Sequence, residues 1–429
     1  MMALISVVAL ALISLIPWLS TTQSSESSGG WIYESAEVGD LGGQSEAEAA
    51  EVSTPSTRSS RSREWAVTAG ARRDGYKQMD LVPTAHGPLA ILAEPQAEEP
   101  DSSRDTDRTI HTILASLDSK TGTVRWFRTV SPLVDTRYAY DSESWVYSTW
   151  HKPDATSVSA DGEYVALRLE MQPSQTDPPD SPRWNADHPQ KHTILILSTK
   201  TGEVVRTVEV SGVLLGQALT NNDLLVQTSS TFRPEAGEIT TYPLSSPKAS
   251  GSSWRSTNWL VGATARGALL STTPPGISCG PNKCILTTVT LNDPSTGTVQ
   301  QTYDRVTRFL PAGGLVRLAD GQALPAARDD AAWNAARQEL IDLHSGTTIN
   351  VSNPQIDTAV TPTGQAWLFY ETEDQREKKQ PPTSWLPMND TSTTPRTEDL
   401  EVVTLTREEG FKDSTVHIER TTLTMGSGG

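Results

Sequence analysis

Residues Leu117 to Trp126, LDSKTGTVRW, decide the reading of the fold. An alternating run from Thr109 to Leu117 precedes the turn and another from Thr123 to Val130 follows it, so the stretch reads as two antiparallel strands joined at Asp118 to Gly122. Aspartate and glycine are residues that turns favour. Weakened copies follow: LSTKTGEVVR from Leu197, LNDPSTGTVQ from Leu291 and IDLHSGTTIN from Ile341, each with a small hydroxyl residue before a glycine and then a strand. The glycines, Gly122, Gly202, Gly297 and Gly346, stand 80, 95 and 49 residues apart. Counted as two, two and one units, these intervals give a repeat of roughly 40 to 49 residues, the size of a propeller blade.

A second recurring pattern supports the first. VSADGEYVALRL (Val158 to Leu169), LTNNDLLVQT (Leu219 to Thr228), GATARGALLSTT (Gly262 to Thr273), LPAGGLVRLAD (Leu310 to Asp320) and VTPTGQAWLFY (Val360 to Tyr370) place a turn of Asp, Asn or Gly before an apolar strand. They read as the inner halves of blades, with the hydroxyl-glycine turns in the outer halves. Fifteen strands are expected between Pro88 and Thr406, Thr298 to Tyr303 among them, while Glu64 to Asp80 and Tyr138 to Trp150 are left for strands that close a ring or complete a seventh blade. Helical periodicity is confined to Ala326 to Gln338, where Asp329 and Asp330 suit the first turn of a short inserted helix.

With Asp118, Thr121, Gly122 and Trp126 in register, LDSKTGTVRW resembles the repeat of the pyrroloquinoline-quinone-like β-propellers, in which the tryptophan docks one blade on the next. The copy at Leu197 keeps Thr201 and Gly202 but has Ser198 for the aspartate and Arg206 for the tryptophan. The resemblance implies an all-β chain: one propeller of six or seven four-stranded blades over residues 64–425, with Asp118, Gly122 and Trp126 in blade packing. Quinone-using members of that family carry adjacent cysteines and a carboxylate set for calcium. Cys279 and Cys284 are not adjacent, so no cofactor and no metal site is expected.

The flanks and the charge give an address. Ala3 to Leu19 is a long apolar run with no Lys or Arg before Arg58, so residues 1–20 read as a signal peptide or a membrane anchor. Residues 21–63 are rich in Ser, Gly and Glu, and read as a disordered linker. The two cysteines, in SCGPNKC, suit a disulfide across a tight turn and an oxidising compartment outside the cytoplasm. A formal net charge of -17 over 429 residues argues against nucleic acid as a partner.

Residues with chemical potential mostly have plainer readings. Gly276 to Gly280, GISCG, matches a nucleophile elbow around Ser278, but it follows Pro274-Pro275 and leads to a strand instead of opening a helix. His188 and His192 flank Pro189 and read as part of an exposed loop, not as a metal site. Trp145, Tyr147 and Trp150 form the densest aromatic cluster and are the best candidates for a ligand surface, for which a glycan or an envelope protein is the expected partner. The chain therefore reads as a monomeric, non-catalytic binding or scaffold protein of the cell envelope. The alternative is a propeller enzyme, either a glycan-active hydrolase or lyase or a quinoprotein dehydrogenase-like protein.

Overall fold

The computed structural model describes residues 32–36, 66–72, 78–93, 112–131, 156–169, 191–230, 237–246, 248–249, 251–273, 286–310, 314–321, 323, 336–352, 355–371, 385–387, 399–409 and 414–423. Among these residues there is no helix, and every regular element is a strand. Two strands stand first, β1 (Ile32–Ala36) and β2 (Ala66–Arg72). Unit 1 follows as β3 (Gln78–Val82), β4 (Leu89–Ala93), β5 (Thr112–Leu117) and β6 (Val124–Ser131). Unit 2 is β7 (Thr156–Val158), β8 (Tyr164–Leu169), β9 (Lys191–Ser198) and β10 (Val204–Ser211). Unit 3 is β11 (Val213–Leu219), β12 (Asp223–Ser229), β13 (Gly237–Pro243) and β14 (Ser253–Ser256).

Units 4 and 5 share a strand. β15 (Trp259–Thr264), β16 (Gly267–Ser271) and β17 (Thr287–Asn292) lead into the long β18 (Val299–Leu310), and β19 (Gly314–Leu318), β20 (Arg337–Asp342) and β21 (Thr348–Ser352) follow. The first half of β18 pairs with β17 and its second half with β19. Between the halves Arg305 has φ 62°, in the left-handed region that favours glycine. The final sheet contains β22 (Gln355–Val360), β23 (Ala366–Glu371), β24 (Trp385–Pro387), β25 (Leu400–Glu409) and β26 (Ser414–Leu423), in the order β2-β26-β25-β22-β23-β24. Of the two segments set aside, Glu64 to Asp80 supplies β2, which pairs with β26, and the start of β3, and Tyr138 to Trp150 lies outside the described residues.

Alternation of side chains explains how the units stack. In β4, Leu89 and Ile91 pack with Val165, Leu167, Leu195 and Leu197 of unit 2, whereas Ala90 and Leu92 join Val403, Val416 and Ile418 of the final sheet. In unit 2, Ala166, Ile194 and Ile196 turn the other way, towards Leu214, Leu224 and Val226 of unit 3. Leu225 and Ile239 meet Ala268 and Leu270 of unit 4, and Leu269 and Leu291 meet Leu315 and Ile341 of unit 5. A period of two gives each strand two apolar faces, and among the described residues these join the final sheet to unit 1 and units 1 to 5 in succession. The architecture is all-β, as expected.

Several expectations change. The interval from Gly122 to Gly202 spans one unit, not two, because residues 132–155 and 170–190 lengthen it. The interval from Gly202 to Gly297 does span two, the turn of unit 3 being the one at Leu244 to Gly251, and that from Gly297 to Gly346 spans one. Ile32–Ala36 is a strand within the stretch read as disordered, because the outer edge of β6 offers it a hydrogen-bonding partner that composition cannot reveal. Arg337 and Gln338, the end of the expected helix, belong to β20, where pairing with β19 overrides local helix preference. Ala336 is buried just before that strand, while residues 326–335, the apolar residues 1–20, Cys279, Cys284 and Ser278 lie outside the described residues.

Candidate functional site

The hydroxyl-glycine turns form one recurring structure. In each of the four, the glycine N–H donates to the carbonyl of the residue four positions earlier: Asp118, Ser198, Asp293 and Asp342, at 2.8 to 2.9 Å. Gly122, Gly202, Gly297 and Gly346 all have φ between 70° and 75°. Asp118 Oδ1 accepts from the N–H groups of Lys120 and Thr121 at 2.9 and 2.8 Å, and Asp293 Oδ1 accepts from those of Ser295 and Thr296 at the same distances. These backbone donors hold both carboxyls below their ordinary pKa, the Thr121 and Thr296 amides contributing most.

Trp126 reaches from β6 onto the next unit. Its Nε1 donates to Thr199 O at 3.1 Å, and a Cβ added to Gly202 would stand 2.6 Å from its ring. On the same turn Arg125 Nη2 donates to Thr199 O at 2.8 Å, while Arg128 donates to Thr201 O and Gly202 O and lies 5.7 Å from the Trp126 ring centroid. Trp254, on β14, repeats this between units 3 and 4: its Nε1 donates to Pro294 O at 3.0 Å, and a Cβ on Gly297 would stand 2.4 Å from its ring.

Between units 2 and 3 the position belongs to Arg206, which donates to the carbonyls of Pro243, Ser246 (2.8 Å) and Ala249 (2.6 Å). A guanidinium fork thus does with three carbonyls what an indole does with a ring face and one N–H. The degenerate second copy is a chemical substitution at a conserved geometry. Sequence reading missed Trp254 although the signal was there: Ser250 and Gly251 give the hydroxyl-glycine pair three residues before it, at the end of a longer turn than in the other copies.

A second set of turns interlocks nearer the start of each unit. Thr84, Ser159, Thr220, Thr264 and Thr361 each accept a backbone N–H at their side-chain oxygen, from His86, Tyr164, Asp223, Arg266 and Gln365. The turns also touch one another. Ala85 N donates to Gly162 O at 3.0 Å, and Asp161 N to Asn221 Oδ1 at 3.0 Å. His86 Nε2 lies 2.8 Å from Glu163 Oε2. A Cβ on Gly364, in the turn between β22 and β23, would stand 2.1 Å from Thr84 O. The turn from Pro83 to Pro88 is therefore wedged between the turns of unit 2 and of the final sheet. His86 thereby joins units 1 and 2.

The opposite strand ends are different. Connections 94–111, 170–190, 230–236, 272–286, 319–336 and 372–384 each join the second strand of a meander to its third, and 132–155 joins unit 1 to unit 2. In an antiparallel meander these ends lie away from the two hairpin turns. Contacts among the turns place the turns of units 1 to 4 and of the β22–β23 hairpin together on one face. The long connections consequently leave from the other face. Trp145, Tyr147 and Trp150 are in the segment 132–155, and Cys279 and Cys284 in 272–286; all five lie outside the described residues.

Polar groups are buried towards these ends, between units 2 and 3. Arg168 is fully buried on β8, and His192 on β9 is 8% exposed; both share the strand face that carries Ala166 and Ile194 towards unit 3. The expected exposed loop is thus not the setting of His192, since β9 begins at Lys191 and takes the histidine into the interface. His188 is outside the described residues. Burial pushes the His192 pKa down to about 3, the nearby Arg168 charge pushes the same way, and a hydrogen bond with the Gly212 backbone opposes them. Among the described residues no three His, Cys, Asp or Glu side chains are grouped so as to hold a metal.

The sign of the pH dependence follows. As pH falls from the ordinary histidine value of 6.5 towards 3, the unfolded chain binds a proton at residue 192 that the folded protein refuses. Stability is expected to fall across that window by up to about 1.4 kcal/mol per pH unit, and to be independent of this group above it. Asp118 and Asp293 act with the same sign but only below the ordinary aspartate value of 3.8. Urea midpoints at pH 7.5 and pH 5 are the measurement: His192→Leu should shrink the difference, and an unchanged difference would refute the assignment.

No family model and no curated protein matches the chain. Among solved structures, the chain is similar to the β-propeller domain of the Trilobed protease from Pyrococcus furiosus, at 9% identity over 82% of this chain and 100% of that one, with a TM-score of 0.38. An acylaminoacyl peptidase from Pyrococcus horikoshii gives 10% identity over 79% and 56% of the two chains, TM-score 0.37. A europium-containing methanol dehydrogenase gives 11% over 80% and 64%, TM-score 0.26. Likenesses this distant carry no argument about site or activity.

Proposed function

We propose that the chain is a non-catalytic β-propeller of six or seven blades that works outside the cytoplasm, tethered to a membrane by its N-terminus or released from it, and that it binds a glycan or an envelope protein. Units 1 to 5 are five blades; the final sheet, whose β22 meets β25 at the single pair Val360–Val403, counts as one blade or two. One observation carries the binding reading: the long connections leave the strands on the face opposite the interlocked turns. Long loops on a rigid frame can vary without disturbing the packing beneath them, which makes that face the place for recognition. Trp145, Tyr147 and Trp150 stand in the sequence of the connection 132–155 and are the residues proposed for that role. Val299 is the sole large apolar side chain exposed among the described residues, so the described strands offer no apolar patch for a partner.

A photo-crosslinking residue introduced separately at Thr272 and at Asn222, both exposed, tests the assignment in intact cells. Thr272 stands at the base of a long connection and Asn222 in an interlocked turn. Adducts to a protein or a glycan are expected from Thr272 and not from Asn222, and should be lost when Trp145 and Trp150 are both replaced by alanine. Adducts from Asn222 alone would overturn the proposal.

A further inference from the structure

Units 2 and 3 end, among the described residues, at their fourth strands, β10 and β14. Unit 1 continues to a fifth. β1 lies antiparallel on the outer edge of β6, with Ile32 opposite Ser131, Glu34 opposite Thr129 and Ala36 opposite Phe127. Its sole strand partner among the described residues is β6. The outer edge of a sheet presents a row of N–H and C=O groups, and an extended segment satisfies them whatever its side chains.

We propose that the outer edge of β6 is a strand-addition site whose occupant is the chain's own segment 32–36, and that this clip sets the length of the N-terminal leash. The next described strand, β2, lies on the final sheet against β26, and that sheet packs on unit 1 through Val403, Val416 and Ile418. Residues 37–65, outside the described residues, join these two strands in sequence. With the clip closed, only residues 20–31 separate the apolar N-terminus from the folded body, a reach of at most about 40 Å when fully extended. With it open, residues 20–65 span up to about 150 Å. A five-residue strand held on one side is among the elements that open locally at low cost, so the clip can release while the sheets stay folded. The strand site stands on β-pairing alone; the leash length rests on the membrane tethering proposed above.

Disulfide trapping in the full chain tests both parts. Glu34→Cys with Thr129→Cys places thiols at directly opposed positions, and mild oxidation followed by peptide mapping without reductant reads the bridge. An intramolecular bridge is expected to form at least about ten-fold faster than in the control Ser24→Cys with Thr129→Cys, because pairing raises the effective thiol concentration. Adding Ile32→Pro together with Tyr33→Pro removes two successive backbone donors, one of which must face β6, and should return the rate to that of the control. Equal rates in the paired and control variants would overturn the strand site, as would bridges formed only between two chains. Membrane fractionation of the same cells is the separate arm: a wholly soluble protein would overturn the leash while the bridge, if formed, still establishes the clip.

Discussion

Replacing Trp126 with alanine is expected to destabilise the protein by about 3 to 5 kcal/mol, the usual cost of removing a large buried aromatic. The side chain is 6% exposed and packs in the cluster that joins units 1 and 2. Its loss leaves a cavity against Leu89, Leu195 and Leu197, removes the donor to Thr199 O, and uncovers Gly202. Arg125 still donates to Thr199 O, so that carbonyl keeps a partner and the penalty comes from packing. Trp126→Phe separates the two contributions: it keeps most of the ring contact and gives up one hydrogen bond, at a cost of about 1 kcal/mol beyond the lost area. Urea denaturation measures both, and a Trp126→Ala midpoint equal to the wild-type one would remove the inter-unit wedge from the account.

The second large effect is expected at Gly202. Gly202 and Gly346 occupy the same turn at φ 70° and 75°, and a side chain pays the same backbone penalty at either, about 1 to 2 kcal/mol. Their surroundings differ completely. A Cβ at Gly346 meets nothing within 4 Å, whereas at Gly202 it falls 2.6 Å from Trp126 Cε3, closer than carbon atoms approach without displacement. Gly346→Ala should therefore show the backbone penalty alone. Gly202→Ala should cost at least about 2 kcal/mol more, since the indole is pinned by its own hydrogen bond and by Arg128 and cannot withdraw cheaply. The clash disappears when the ring does. Trp126→Ala with Gly202→Ala should thus be less destabilised than the sum of the single variants, by an interaction energy of about 1 to 3 kcal/mol. Strict additivity would mean that the two residues do not meet.

These two residues also mark how far sequence reading extends. Asp118, Gly122 and Trp126 stand close together in the chain, and their spacing expresses local chemistry: a carboxylate that caps a turn, a glycine that completes it, and a strand that begins immediately after. Turn chemistry and alternation act over a few residues, so they are legible without the fold. The innermost strands were harder. β7, β11, β15 and β22 fell outside the expected set because their partners, not their own patterns, make them strands. Arg206 shows the same limit, since nothing local distinguishes an arginine that grips three carbonyls of the next unit from one that faces water.

By itself the sequence determined that the chain is built of strands and that its turns recur. Those are properties of short segments, fixed by backbone preference and by the alternation of apolar side chains. The tertiary structure decided which turns meet, that the interval from Gly122 to Gly202 is a single unit, that His192 is enclosed between two sheets, and that the long connections share a face. Each of these depends on groups tens of residues apart being brought together. Burial, interlocking and strand addition at an edge are contacts between surfaces, and a surface exists only once the strands have paired.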